Sequence, residues 1–398
     1  MKKTVAAVVT EYRKWSHADV IVGKLLEGYD HDGKAFPDLR VVSMYVDQKP
    51  KGEWSEALAK RHGFTLHDTI AGALTRGGKA LAVDGVLLIG EHGKYPTNKR
   101  GQILYPRRRF FEETCQVFES SKRSVPVFTD KHLAATWDDA KWMYDRAREL
   151  FVPLLAGSSL PVAWRRPALK LPVGCELTEA VQIGYGPFEA YGFHALEGLQ
   201  CLAERRQGGE VGVRSVECLQ GRAMWDALDK GRWSKELLEA AMKLVPAHAA
   251  GDVRALTEKV RDAGVFLVEY RDGFKAAVAI LNGWVYEGDG GAFVFAGRLK
   301  GKAEPAACQF YLQQPDPFGH FAHLVRAIES LIRSGHSPYP VERTLLTTGV
   351  LDAVMTSKAE WSRKVETPHL AIKYKPTEWP FAADVPRSVR RTYPGESR

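Results

Sequence analysis

The sequence predicts an α/β protein, a doubly wound parallel sheet joined to an α+β region on a mostly antiparallel open sheet. Three observations lead there. Up to about residue 157, short apolar runs alternate with stretches of helical period. Beyond it, β-like runs follow one another through tight turns such as Arg271-Asp-Gly273. Finally, 398 residues exceed what one hydrophobic core ordinarily supports, so two domains are expected.

The apolar runs at 4–9, 39–46, 83–89, 125–128 and 152–156 are read as strands. Between them, 18–26, 54–62, 69–76, 107–120 and 137–150 carry the helical period. Strand and helix in strict alternation give parallel strands with helices on both faces. Ser16, with Asp19 three residues on, is a capping box for the first helix. Residues 1–157 form the first predicted domain. Residues 158–167 have no period and read as a connector. After it, 176–184, 211–219, 265–270, 274–281, 292–299 and 306–312 read as strands, and 188–204, 235–244, 320–334 and 341–357 as helices. Residues 158–376 thus form the second domain, with helix 341–357 expected to pack back on the first. The Pro- and Arg-rich tail, 377–398, is expected to wrap the surface or fray. There are no internal repeats.

Hydrophobic residues make up 45% and charged residues 26%, an ordinary globular composition. The net charge of +8 is spread among acidic residues, with compact clusters only at Arg107-Arg-Arg109 and Arg165-Arg166. A basic stripe interleaved with aromatics is missing, so no nucleic-acid partner is expected. Five widely spaced cysteines make neither a disulfide framework nor a zinc signature. They suit a reducing compartment, and a cytoplasmic protein is expected. Lys2 and Lys3 before the run 4–9 imitate a leader, but the run is too short and ends at Glu11 and Arg13. No run approaches the roughly 18 apolar residues of a membrane span.

Candidate chemistry gathers at strand ends, where parallel sheets bind ligands. In Val125-Pro-Val-Phe-Thr-Asp-Lys-His-Leu133, an apolar run stops at Asp130, Lys131 and His132. Lys131 is therefore a candidate for acid/base or electrostatic work. The first strand-to-helix turn, Thr10-Glu-Tyr-Arg-Lys-Trp-Ser-His17, contains no glycine, although backbone approach to a pyrophosphate calls for glycines. Arg13 and Lys14, ahead of a helix N-terminus, are anion-binding candidates, and a solvated polar loop is the alternative. Asp47 ends the second run, either as a ribose acid or as a turn residue. Gly90-Glu-His-Gly93 sets Glu91 and His92 at the crevice edge. With His132 and His194 these have metal-ligand chemistry, but no spacing is diagnostic and no metal is assigned.

A second signal is Gly184-Tyr-Gly-Pro-Phe-Glu-Ala-Tyr-Gly-Phe-His-Ala-Leu-Glu197, in which Pro187 opens a helix. Tyr191, His194 and Glu197 follow at intervals of three and share a face, a combination suited to proton transfer. A packed structural histidine is the alternative. The arginines 107–109 oppose the dipole of the helix they begin. An acidic substrate, a partner, or salt bridges with Glu112 and Glu113 would explain them. The loop 313–321 has a polar and aromatic mix.

On these two segments the chain resembles the glucose–fructose oxidoreductase / inositol dehydrogenase (Gfo/Idh/MocA) family, over roughly residues 4–357. Asp130-Lys131-His132 is similar to the family's Glu-Lys-Pro motif. Residues 191–197 are similar to its Asp-x-Gly-x-His-x-x-Asp pattern, with Tyr191 read in place of the frequent catalytic aspartate. The resemblance implies an N-terminal Rossmann-like nucleotide-binding domain and a C-terminal substrate and oligomerisation domain. It implies NAD- or NADP-dependent oxidation or reduction of a sugar, polyol or related compound, and a place in carbohydrate metabolism. The nicotinamide nucleotide would meet Arg13, Lys14, Asp47, Glu91, His92 and Asp130. Lys131 would stabilise an alkoxide, His194 would bind or shuttle the proton, Tyr191 would replace the missing acid and Glu197 would orient His194. A homo-oligomer through the C-terminal sheet is a further expectation. The glycine-free turn leaves open a non-redox lyase, epimerase or glycoside-cleaving enzyme, or a non-catalytic ligand-binding protein. Retention of both Lys131 and His194 favours an enzyme.

Overall fold

The computed structural model describes residues 2–285, 290–314 and 316–388, so the end of the expected tail lies outside the described residues. The first sheet has six parallel strands: β1 (Lys3–Val9), β2 (Leu39–Val46), β3 (Thr65–His67), β4 (Gly85–Ile89), β5 (Val127–Asp130) and β6 (Leu154–Gly157). Their order is β3-β2-β1-β4-β5-β6. Helices α1 (His17–Glu27), α2 (Ser55–His62), α3 (Ile70–Thr75), α4 (Arg107–Ser121) and α5 (Trp137–Glu149) cover its two faces. Val5 to Val9 of β1 are fully buried, which is why these runs are continuously apolar rather than alternating. The strand order reverses between β1 and β4, and that reversal opens a crevice at their carboxyl ends. Ser16 caps α1, its Oγ accepting the Asp19 N–H at 3.3 Å, but the expected box is not closed, because the Asp19 carboxylate accepts from the Trp15 N–H and the Ser16 N–H goes to the Arg13 carbonyl.

The three-residue strand β3 escaped the sequence reading. It is a half-exposed edge strand following Gly63, which closes α2 at φ 71, and it is too short for any periodicity to register.

The second sheet has eight strands: β7 (Trp164–Arg166), β8 (Leu177–Gly184), β9 (Val213–Gln220), β10 (Gly264–Tyr270), β11 (Lys275–Ile280), β12 (Gly290–Leu299), β13 (Ala306–Leu312) and β14 (Val365–Glu366). The order is β14-β9-β10-β11-β8-β12-β13-β7, with β8 and β11 parallel and the other pairs antiparallel. Its helices are α6 (Ala190–Ala203), α7 (Arg222–Asp229), α8 (Lys235–Met242), α9 (Val253–Thr257), α10 (Gly319–Ser334) and α11 (Glu342–Ala359). Helix α6 packs on β8, β11 and β12, and α8 also packs on β8 and β12. The central strands β8 and β11 are correspondingly buried along nearly their whole length.

Two late helices reach the first sheet. α10 buries Val325, Ile328 and Ile332 in the same cluster as Val5 and Val9. A Cβ on Gly85 would lie 2.9 Å from Ile332 Cγ1, so glycine permits that approach. α11 lies against α5 as well as α6 and β9. Among the described residues no helix is long and apolar enough to cross a membrane. All five cysteines are unpaired.

Candidate active site

The crevice between the two sheets is built on one row of buried charges. Lys131 leaves β5 with φ 61, and its N–H is held by the Gly157 carbonyl at 3.1 Å. Its ammonium meets Glu91 Oε1 at 2.8 Å. The other oxygen, Oε2, accepts from Arg107 at 2.5 Å. Arg107 sits in the first turn of α4, against the helix dipole, and is 1% exposed. Its reason for being there is Glu91. A Cβ on Gly90 would stand 2.7 Å from Arg107 Cγ, so glycine lets the arginine stem pass. Arg107 Nη1 lies 3.1 Å from His132 Nε2, which lies 3.3 Å from Glu189 Oε1 at the start of α6. The row thus runs from the end of β5 to the first turn of α6.

Burial alone would raise the Glu91 carboxyl, but the Lys131 and Arg107 cations override it and hold it well below the usual carboxylate range. Burial would likewise lower Lys131, and the Glu91 carboxylate overrides that and raises it. The pair is ionised at neutral pH. Breaking such a buried pair costs about 3–5 kcal/mol.

Lys131 and Glu91 border a cavity of about 240 Å³, which His194 and Tyr191 of α6 also line. The His194 ring lies edge-on to Tyr191 and Phe293, with centroids 5.8 and 6.0 Å away. Burial, then the Lys131 charge, keeps His194 well below its usual range and therefore neutral. His92 and His320 line the same cavity. Burial pushes His92 down to about 3, with the His17 charge adding to it. Burial also drives His320 well down. Its Nδ1 is 2.8 Å from Ser159 Oγ, while the Nε2 atoms of both His92 and His320 are buried without a partner. His17 Nδ1 is 2.6 Å from Asp130 Oδ2, and Asp130 Oδ1 is also buried and unpartnered. Among the described residues no three side chains converge as a metal site requires.

The structure therefore brings Lys131, His194, Tyr191, Glu91 and His92 to one cleft, with Asp130 beside it. Other residues fall elsewhere. Glu197 accepts from Ser158 N–H at 3.3 Å, Thr344 at 3.2 Å and Thr347 at 3.0 Å, not from His194. Those donors satisfy a 1% exposed carboxyl, so Glu197 ties α6 to α11 and does not orient the imidazole. Tyr191 needs a second correction. Counted back from His194 through Gly192, the family pattern puts its aspartate at Ala190, and Tyr191 stands one residue later. Arg13 is committed to Glu11, and its Nη2 lies 3.3 Å from His92 Nδ1. The Lys14 ammonium lies 4.9 Å above the Trp15 ring. Sequence reasoning assigned no site role to His17, Arg107, Glu189 or His320. The arginine run gave a signal, because charges that oppose a helix dipole need another partner; Glu189 stood in the 184–197 segment and His320 in the polar and aromatic loop 313–321, and neither was specific enough to single out.

No protein-family profile matches the chain, and no characterised protein matches it by sequence. Solved structures do match in fold. GenD2 from gentamicin A biosynthesis, in complex with NAD, is 15% identical with a TM-score of 0.57, over 92% of this chain and 96% of that one. A myo-inositol dehydrogenase from Corynebacterium glutamicum is 13% identical with a TM-score of 0.54, over 92% and 99%. The WlbA dehydrogenase from Bordetella pertussis, in complex with NADH and UDP-GlcNAcA, is 14% identical with a TM-score of 0.53, over 92% and 99%. The fold is that of two-domain, Rossmann-type dehydrogenases.

A dinucleotide does not fit this chain's turn after β1 in the way such sheets hold one. Tyr12 is fully buried there and Trp15 takes φ 60. The buried Asp19 carboxylate accepts the Trp15 N–H at 3.0 Å, and Ser16 Oγ accepts the Arg13 N–H at 3.2 Å. Side chains thus take the N–H groups of Arg13, Trp15 and Asp19, which a backbone cradle for a pyrophosphate would leave free.

Proposed function

We propose that this chain is an enzyme acting at a CH–OH group of a small hydroxylated compound, such as a sugar, polyol or relative, held in the cleft of Lys131 and His194. One observation carries the reading. A cation fixed by Glu91 and a neutral imidazole, His194, line one cavity. The Lys131 ammonium would stabilise the alkoxide as the hydroxyl loses its proton, and His194 would take that proton. Tyr191 would shape the wall and hydrogen-bond a neighbouring hydroxyl. The unpartnered nitrogens of His92 and His320 offer further positions for ligand hydroxyls. Unpaired cysteines are consistent with work in the cytoplasm.

Oxidation by NAD or NADP is a second reading. Its support is the dehydrogenase fold together with a lysine and a histidine in the cleft, and the turn after β1 speaks against it.

The test is a panel of sugars, polyols and glycosides, scored by NMR for product and by absorbance for nicotinamide reduction. Lys131→Met and His194→Ala should each lose about 10²–10⁴ in rate while remaining folded. Full activity in either variant would sink the assignment.

A further inference from the structure

We propose that this chain works without a dinucleotide: the half of the crevice that would hold the adenosine diphosphate is closed by the protein's own side chains, and the chemistry in the cleft is redox-neutral. The inference rests on the CH–OH reading only for the nature of the substrate.

The closure has three separate parts. The first is the turn after β1, where Asp19 and Ser16 cap the chain's own backbone N–H groups. A pyrophosphate brought there would meet a buried carboxylate in place of free N–H donors.

The second lies at the end of β2, where an acid ordinarily holds the adenosine ribose. Asp47 occupies that position and is already engaged by three donors. It accepts from Tyr45 OH at 2.6 Å, from Tyr95 OH at 2.7 Å and from Arg109. Tyr95 belongs to the loop between β4 and α4. That loop is stapled across the end of β2, since Gln48 Oε1 accepts the Lys94 N–H at 2.9 Å and Gln48 Nε2 donates to the Lys94 carbonyl at 3.0 Å. A ribose diol would have to displace a phenol and a guanidinium and lift the loop.

The third part is charge. Lys131 and Arg107 share Glu91, Arg13 is paired with Glu11, and Arg109 is paired with Asp47. The imidazoles lining the cavity at His92, His194 and His320 are neutral. The crevice holds no uncommitted cation among these groups to attract phosphates, whereas neutral imidazoles suit an uncharged hydroxylated ligand. A turn and a β2 end that do not accept a dinucleotide leave no hydride acceptor beside the substrate, which then keeps its electrons. A redox-neutral step open to these groups is proton transfer on an open-chain hydroxy-carbonyl: His194 takes the C–H proton next to the carbonyl, Lys131 holds the enediolate oxygen, and the proton returns to the neighbouring carbon, as in aldose–ketose isomerisation.

The experiment is equilibrium titration of the full chain with NAD, NADH, NADP, NADPH and AMP by calorimetry, together with mass spectrometry of whatever the purified chain releases on denaturation. The expected result is no saturation below about 1 mM for any of the five, at least about 100-fold weaker than a micromolar site, and no released nucleotide. Saturation by any of them in the micromolar range, or a nucleotide released in near-stoichiometric amount, overturns the inference. The CH–OH reading fails separately, if no hydroxylated compound binds or turns over. Turnover of a polyol that depends on NADH would keep that reading and sink this one. Turnover with no nucleotide present supports both.

Discussion

Replacing Glu91 by glutamine tests the row of buried charges directly. In the native chain the Lys131 and Glu91 side chains are 5% and 8% exposed, and Arg107 shares the same carboxylate with a side chain 1% exposed. Glu91→Gln keeps the shape and removes the charge, leaving two buried cations. Breaking a buried pair of this kind costs about 3–5 kcal/mol. The pH dependence separates this cause from simple repacking. In the native protein Glu91 raises Lys131, so the pair's stabilisation is present below the unfolded lysine value and is lost as pH rises through the folded one. In the variant, burial is opposed only by the weaker influence of Asp130, so Lys131 falls. The folded state then prefers the neutral amine, and the variant gains stability on going from pH 7 to about 10. The deficit should therefore shrink with pH. Glu91→Gln combined with Lys131→Met should recover more than half of it at pH 7. Urea denaturation of the two single variants and the double at pH 7, 8.5 and about 10 measures all three quantities. A deficit under about 1 kcal/mol at pH 7, or one independent of pH, would refute the ion-pair account.

Acid should destabilise the chain before carboxylates titrate. His92, His194 and His320 are held neutral by burial, so the unfolded state binds more protons than the folded one between pH 6.5 and about 3 for His92. Stability then rises with pH across that window and is lost below 6.5, by about 2 kcal/mol per such histidine at pH 5; a flat profile from pH 8 to 5 contradicts this. Glu197→Gln should cost about 1–3 kcal/mol in denaturation and leave the pH–rate profile unmoved, whereas a shifted profile would restore Glu197 to His194. Because α8 already covers β8 and β12, any oligomer that light scattering detects should leave those two strands out of its cross-linked interface; a dimer joined through them would contradict that packing.

The two-sheet architecture was readable because its cause is local. β1, β4 and β5 are buried on both faces, so their runs are continuously apolar, and each ends at polar residues that mark the crevice. β3 was not readable, because three half-exposed residues at an edge carry neither a period nor an apolar run. The same distinction divides the site. Lys131 and His194 stand where a strand stops and where a helix begins, and both events leave marks in the sequence. Glu197 misled because helical spacing says which residues share a face but not which donors wait opposite, and Thr344 and Thr347 lie far along the chain.

The glycine-free turn bears on function beyond the missing residues. Taken as sequence, it says only that a backbone cradle is unavailable, and Arg13 and Lys14 stand as substitutes. In the fold those cations are turned to Glu11 and Trp15, and Asp19 takes the backbone N–H of Trp15. Among the described residues, buried polar atoms without a partner lie at the inner end of the crevice on His92, Asp130, His132 and His320, and others are scattered through the rest of the fold. Native chains rarely leave so many buried polar atoms unpaired without a use for them. Polar groups used up at the nucleotide end and left over at the Lys131 end are what a site for one small polar ligand requires. A site for an extended dinucleotide would need the reverse.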